Sequence, residues 1–194
     1  MIRFDEGTHT YWLGEQRIPG VTSVLELVSG YEGVPEHVLD AAAERGRAVH
    51  LATEFYDEGD LDEDALHESL RPYVDAWKRF RLETGFEVTH SETLVYSQRH
   101  RYAGTLDRIG ILHAKRTLLD IKTTVVMMPA TALQTAAYKT AFESQHPDEP
   151  IEQRVSVQLR ADGTYRLHRY DDPTDFAVFL SALNVHNWKQ RNTK

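Results

Sequence analysis

Three segments of this chain carry residue types that work together on a phosphodiester: Gly-Thr-Leu-Asp ending at Asp107, Leu-Leu-Asp-Ile-Lys with Asp120 and Lys122, and Gly-Arg-Ala-Val-His ending at His50. Two nearby carboxylates repel unless a proton or a cation sits between them. A close Asp107–Asp120 pair is therefore a seat for a divalent ion. Oxygen ligands suit magnesium or manganese, and an imidazole such as that of His50 tilts the preference towards manganese. Such an ion polarises a phosphoryl oxygen and activates a water against it.

Strand geometry adds the lysine. Side chains alternate along a strand, so Asp120 and Lys122 share one face while Leu119 and Ile121 turn to a core. The plainer account of Asp-x-Lys is a salt bridge on an edge strand, with the lysine guarding against edge pairing. Asp107, on the preceding strand, shifts the balance to the metal reading. Gly104, three residues before it, allows close backbone approach or marks a bulge. On an upstream helix, Gly46, His50 and Glu54 are spaced by four, with Arg47 on the same face. That face carries charge and a glycine, which suits a polar cleft better than a core. Gln134 and Tyr138 are again four apart. They form either a helix-surface pair with the tyrosine half buried, or two groups facing the cleft, against substrate or ordering Lys122.

The elements that must position these residues follow from periodicity and punctuation. Residues 2–20 read as a small β-rich entry, with a turn at Gly14-Glu15. Ser23 and Glu26 form an S-x-x-E pattern that predicts a short helix from Ser23. Pro35 suits the first turn of the next helix, over 38–56, with Gly46 a weak point or break and Gly59 a stop. The acidic run 57–68 reads as a solvated loop and helix start rather than a metal site, since it lacks calcium-loop spacing. From 65 to 83 apolar residues recur every three or four positions, which predicts a helix with one buried face that Pro72 kinks or restarts and Gly85 ends. The period then changes. Residues 86–96, 102–112 and 118–123 read as three strands joined by short polar connections, as in antiparallel hairpins. A helix over 131–144 follows, then two strands around Ala161-Asp162-Gly163. A last helix, capped by Asp172 before Pro173, runs to about 189.

Bulk properties set the frame. At 194 residues the chain is read as one domain, 1–194. Its 41% apolar and 27% charged residues are those of a soluble globular protein. No run approaches the ~18–20 apolar residues of a membrane span, and the N-terminus lacks the plan of a signal peptide. The absence of cysteine excludes disulfides, cysteine-bound zinc and a cysteine-ligated iron–sulfur cluster, and it fits a cytoplasmic location. The net charge of −8 argues against nonspecific coating of nucleic acid but leaves room for a local basic lining.

The segments Gly-Arg-Ala-Val-His, Ser-Glu-Thr-Leu-Val-Tyr, Ala-Gly-Thr-Leu-Asp, Leu-Leu-Asp-Ile-Lys-Thr-Thr and Gln-Thr-Ala-Ala-Tyr stand in the order of the RecB-like branch of the PD-(D/E)XK nucleases, which the chain resembles. The opening from His9 is similar to the N-termini of phage and prophage exonucleases of that branch. The resemblance runs from about residue 9 to 167. It implies an α/β (α+β) fold with a mixed central β-sheet flanked by helices, the restriction-endonuclease-like fold. It also implies a metal, Mg2+ or Mn2+, held by His50, Asp107, Asp120 and the carbonyl of Ile121. Lys122 would orient or deprotonate the attacking water, and Glu92 would assist the metal or its water shell. Gln134 and Tyr138 would form the Q-x-x-x-Y element. Arg45 and Arg47 are candidates for phosphate contacts, with Arg99, Arg101 and Arg108 extending that surface. The implied substrate is DNA. Expected partners are a helicase or a single-strand annealing or binding protein, since the chain has no phosphate-binding G-x-x-x-x-G-K-[ST] loop of its own, and a homo-oligomer such as a ring. The competing readings are a site-specific or structure-specific endonuclease of the same superfamily, a non-catalytic nucleic-acid-binding module, and a globular protein with a salt-bridged strand.

Overall fold

A five-stranded sheet carries the residues singled out above. The computed structural model describes residues 2–5, 7, 8, 10–30 and 33–193; His9 lies outside them. The chain opens with a small antiparallel sheet, β1 (Ile2–Asp5), β2 (Thr10–Leu13) and β3 (Gln16–Ile18). Tyr11 and Ile18 of that sheet pack on Ala103, and Gly20 bridges to Ala103. The helices α1 (Val21–Leu25), α2 (Glu36–Glu58) and α3 (Arg71–Thr84) follow. Next come β4 (Glu87–Ser97), β5 (Tyr102–Leu112), β6 (Lys115–Lys122), α4 (Ala130–Gln145), β7 (Gln153–Leu159), β8 (Tyr165–Arg169) and α5 (Asp175–Asn192).

The large sheet has the order β4-β5-β6-β7-β8 and is mixed. β4, β5 and β6 pair antiparallel, β6 and β7 pair parallel across the α4 crossover, and β7–β8 is a hairpin around Asp162-Gly163. β6 is thus the central strand. The edge-strand account of Asp120 and Lys122 falls with that placement, because a central strand has no free edge to guard. Helices cover both faces. On one, Tyr102, Ile109 and Leu118 pack with Phe142 and Phe179 of α4 and α5. On the other, Leu119, Ile121 and Val155 pack with Tyr73, Trp77 and Phe80 of α3, and with Phe86. Each such large apolar side chain taken out of water contributes about 1.5–3 kcal/mol.

Local signals placed helix ends well and helix starts less well. Gly59 and Gly85 end α2 and α3 in the left-handed conformation, at φ 81° and 64°. α2 runs through Gly46 without a break. Three expected starts are corrected. α1 begins at Val21 behind Gly20, with Ser23 inside the helix. α3 begins at Arg71 rather than 65, because Pro72 sits in its first turn and residues 62–69 form turns closed by the Asp62 carboxylate and the His67–Ser69 contact. α5 begins at Asp175, and Asp172 instead closes a tight turn by accepting bonds from the N–H and hydroxyl of Thr174.

Candidate active site

The site forms where β5 and β6 part. Their ladder ends at the pair Arg108↔Leu119, so the next residues, Asp107 and Asp120, face an opening. Asp107 fills it: its Oδ2 accepts the backbone N–H of Ile121 at 2.6 Å. From α2, His50 Nε2 donates to the Ile121 carbonyl at 3.0 Å. Both backbone groups of one central-strand residue are therefore engaged by side chains from two other elements. The far nitrogen, His50 Nδ1, lies 3.6 Å from Asp107 Oδ1 and 3.7 Å from Glu92 Oε1.

Glu92 reaches this point through an unusual backbone. It falls opposite Asp107, between the β4–β5 pairs Ser91↔Arg108 and Thr93↔Leu106, and adopts φ 42°. A left-handed residue with a side chain costs roughly 1–2 kcal/mol and persists only where its surroundings impose it.

A second chain of contacts starts at Asp120. The parallel register sets Ser156 beside Asp120 and Gln158 beside Lys122. Ser156 Oγ donates to Asp120 Oδ2 at 3.0 Å, and Lys122 Nζ donates to Asp120 Oδ1 at 2.8 Å. Lys122 also donates to Gln134 Oε1 at 3.1 Å, and Gln134 Nε2 donates to the Tyr138 hydroxyl at 3.4 Å. Tyr138 is buried rather than half buried, 3% exposed, and it explains Gly104. A Cβ at 104 would stand 2.5 Å from the Tyr138 ring. Gly104 serves this close approach.

Charge is tuned across the site. Burial pulls the His50 imidazole down, but Asp107 and then Glu92 outweigh it and push its pKa up to about 9. Burial raises the Glu92 carboxyl, yet His50 and Arg108 bring it below the usual range. Burial likewise opposes the Lys122 charge, but Asp120 and Asp107 hold its ammonium above the ordinary lysine value. Burial pushes the Asp120 carboxyl up against the pull of Lys122.

The structure thus brings His50, Asp107 and Glu92 together, with ligand-capable atoms all within 4.8 Å of one another. One imidazole nitrogen and two carboxylate oxygens are a donor set for a divalent ion of the manganese or magnesium kind. Two carboxylates facing one imidazole nitrogen make a spot that favours positive charge. Asp120 turns to Lys122 and Ser156, and the Ile121 carbonyl is taken by His50. Arg45 is half buried over the Tyr73 ring, with its guanidinium carbon 5.9 Å from the ring centre, while Arg47, Arg99 and Arg101 are exposed. Arg108 does not extend a surface, because it is fully buried. Asp57 departs from the solvated acidic run: its side chain is buried in the last turn of α2. Sequence reading missed Ser156, whose signal was the alternation Arg154, Ser156, Gln158 in an otherwise apolar strand.

A mixed sheet whose central strand bears Asp-x-Lys, with an aspartate from the preceding strand and an imidazole from a flanking helix, defines a carboxylate–lysine centre of the nuclease type. The chain belongs to the PD-(D/E)XK nuclease superfamily, whose family model matches residues 23–181. Nucleases of this superfamily use divalent metals. No curated protein matches the chain. Among solved structures it is similar to SSO0001, at 14% identity over 93% of this chain and 80% of that one, with a TM-score of 0.49. It is also similar to an alkaline exonuclease from Laribacter hongkongensis, at 15% identity over 89% and 91%, TM-score 0.42. The same exonuclease in complex with dAMP gives 16% identity over 90% and 88%, TM-score 0.42. Among the described residues no helix is long and apolar enough to cross a membrane.

Proposed function

We propose that this chain is a metal-dependent deoxyribonuclease acting as an exonuclease, of the RecB-like phage or prophage kind, in DNA recombination, replication or processing. One observation carries the reading: His50, Glu92 and Asp107 converge on one side of Ile121 while the Asp120–Lys122 pair stands on the same strand. His50, Asp107 and Glu92, with Asp120 and the Ile121 carbonyl beside them, would hold magnesium or manganese, which would supply the charge to polarise a phosphoryl oxygen and acidify a water. Lys122 has three N–H donors, and two are committed to Asp120 and Gln134. The third is left to orient the attacking water and to meet charge that develops on the phosphoryl oxygens. Gln134 and Tyr138 hold the lysine in that direction, and Gln134 is exposed enough to touch the substrate strand. Arg45 and Arg47 lie one turn before His50 on α2, where they would meet phosphates.

Two features support an exonuclease over a site-specific or structure-specific endonuclease: the Q-x-x-x-Y pair behind the lysine and the Gly-Arg-Ala-Val-His helix. A purely binding module has no use for a lysine aimed by two partners. The test is end-labelled linear and closed circular DNA, single- and double-stranded, with magnesium or manganese. Degradation of linear DNA alone is expected, stopped by EDTA and by Lys122→Ala or Asp120→Asn in folded protein. Cutting of the circle would establish the endonuclease instead. Activity that survives excess EDTA, or full activity in either variant, would overturn the mechanism. A helicase or a single-strand annealing or binding protein remains the expected DNA-processing partner, and the oligomeric state is read in the same preparations by light scattering.

A further inference from the structure

Beneath the His50–Glu92–Asp107 cluster lies a buried charge network whose central arginine the proposed chemistry does not use. Its centre is Arg108, fully buried. Nε donates to Asp57 Oδ2 at 2.8 Å, Nη1 to Glu92 Oε1 at 2.8 Å and to the Asp107 carbonyl at 2.7 Å, and Nη2 to Thr53 Oγ1 at 3.3 Å. Asp57 in turn accepts from Trp77 Nε1 at 3.0 Å and from Arg81 Nη1 of α3. The guanidinium thereby spans α2, which carries His50, β4, which carries Glu92, and the backbone of Asp107. Its planar fork makes these contacts at once, as a lysine cannot. Glu92 sits in a left-handed backbone that an outside anchor must hold, and its carboxylate has Arg108 as its shortest contact.

We propose that Arg108, keyed to α2 through Asp57, is a positioning residue that sets the Glu92 carboxylate at the spacing where it shares one divalent ion with His50 and Asp107. The proposal rests on the metal reading of that cluster. Groups behind a ligand orient it, and their loss typically lowers metal affinity about 10–100-fold. A purely structural ion pair would make the fold weaker without acting through Glu92.

Calorimetric titration with Mn2+ alone separates the two. Wild type, Arg108→Met, Arg108→Lys, Glu92→Gln and the double variant Arg108→Met/Glu92→Gln are compared, each checked for its fold by circular dichroism. Arg108→Met is expected to weaken binding about 10–100-fold, and Arg108→Lys to weaken it although the charge is kept. The double variant should bind no more weakly than Glu92→Gln, because Arg108 acts through that carboxylate. Wild-type affinity in a folded Arg108→Lys, or fully additive losses in the double variant, would overturn the proposal. If both Arg108 variants fail to fold, Thr53→Val removes the Nη2 contact together with the hydroxyl's bond to the His50 carbonyl, so it is titrated with and without Glu92→Gln. A several-fold loss that disappears in the Glu92→Gln background is then expected, and unchanged affinity, or an equal loss in both backgrounds, overturns the idea. Absence of Mn2+ binding by the wild type would instead overturn the metal reading itself, and the proposal with it.

Discussion

At the scale of single residues, position and not type divides the labour among the acids. Asp107 and Asp120 were equivalent as letters, yet one faces His50 and the other is held between Lys122 and Ser156. Lys122→Ala should leave the sheet intact and lower turnover by about 10²–10³, the usual cost of removing one group aimed at developing charge; single-turnover cleavage of linear DNA measures it. His50 yields a pH prediction. Its folded pKa, about 9, lies above the ordinary value near 6.5. A group raised on folding stabilises the folded state fully below the lower value, and that contribution fades as pH rises through the higher one. With EDTA present, wild type should exceed His50→Gln in stability at pH 6, by at most about 3 kcal/mol, and the difference should vanish near pH 10. Urea denaturation across that range checks it, and a difference that grows with pH would contradict it.

At the scale of elements, the parallel neighbour β7 is what keeps Asp120 in place. Ser156→Ala removes a hydrogen bond to a buried carboxylate and should cost about 1–3 kcal/mol, seen in urea midpoints, with turnover falling as Asp120 loosens. The β5–α4 contact gives a sharper case. An alanine at Gly104 would drive its Cβ to 2.5 Å from Tyr138, whose hydroxyl meets Gln134 and, through it, Lys122. Gly104→Ala should lower stability by about 1–3 kcal/mol through overpacking and lower turnover as well, with metal affinity less affected because the Tyr138 hydroxyl is hydrogen-bonded to Gln134 on the Lys122 side of the site. Much at this scale was legible beforehand. The three antiparallel strands, the β7–β8 hairpin and the glycine stops of α2 and α3 follow from side-chain alternation and turn chemistry. Helix starts were less legible. The capping pattern at Ser23 and the apolar spacing from Leu66 describe what a helix would accept, while the chain entering from Gly20 and the turns before Pro72 decide where it begins.

At the scale of the whole molecule, binding at one cluster stabilises everything that must fold to make it. His50, Glu92 and Asp107 come from α2, β4 and β5, so no unfolded segment offers the same site. Mn2+ at a hundred times its dissociation constant should raise stability by about 2.7 kcal/mol, or roughly 5–10 °C in Tm for a chain of this size. The gain should be lost in His50→Ala. Thermal melts with and without the ion test it, and an equal gain in that variant would place the ion elsewhere.

What the sequence by itself determined was the order of elements, the shared face of Asp120 and Lys122, and the motif series that marks the superfamily. These rest on local rules, the two-residue period of a strand and the fixed chemistry of turns. The tertiary structure decided the rest. It made β6 the central strand, brought Glu92 to His50 and Asp107 through a left-handed backbone, and turned Asp57 and Arg108 from apparent surface charges into a buried clamp. Those outcomes depend on contacts between residues far apart in the chain, 51 positions for Asp57 with Arg108 and 71 for His50 with Ile121. No short-range pattern encodes such distances, because they are set only when α2 and α3 close over the sheet and bury the charges they bring.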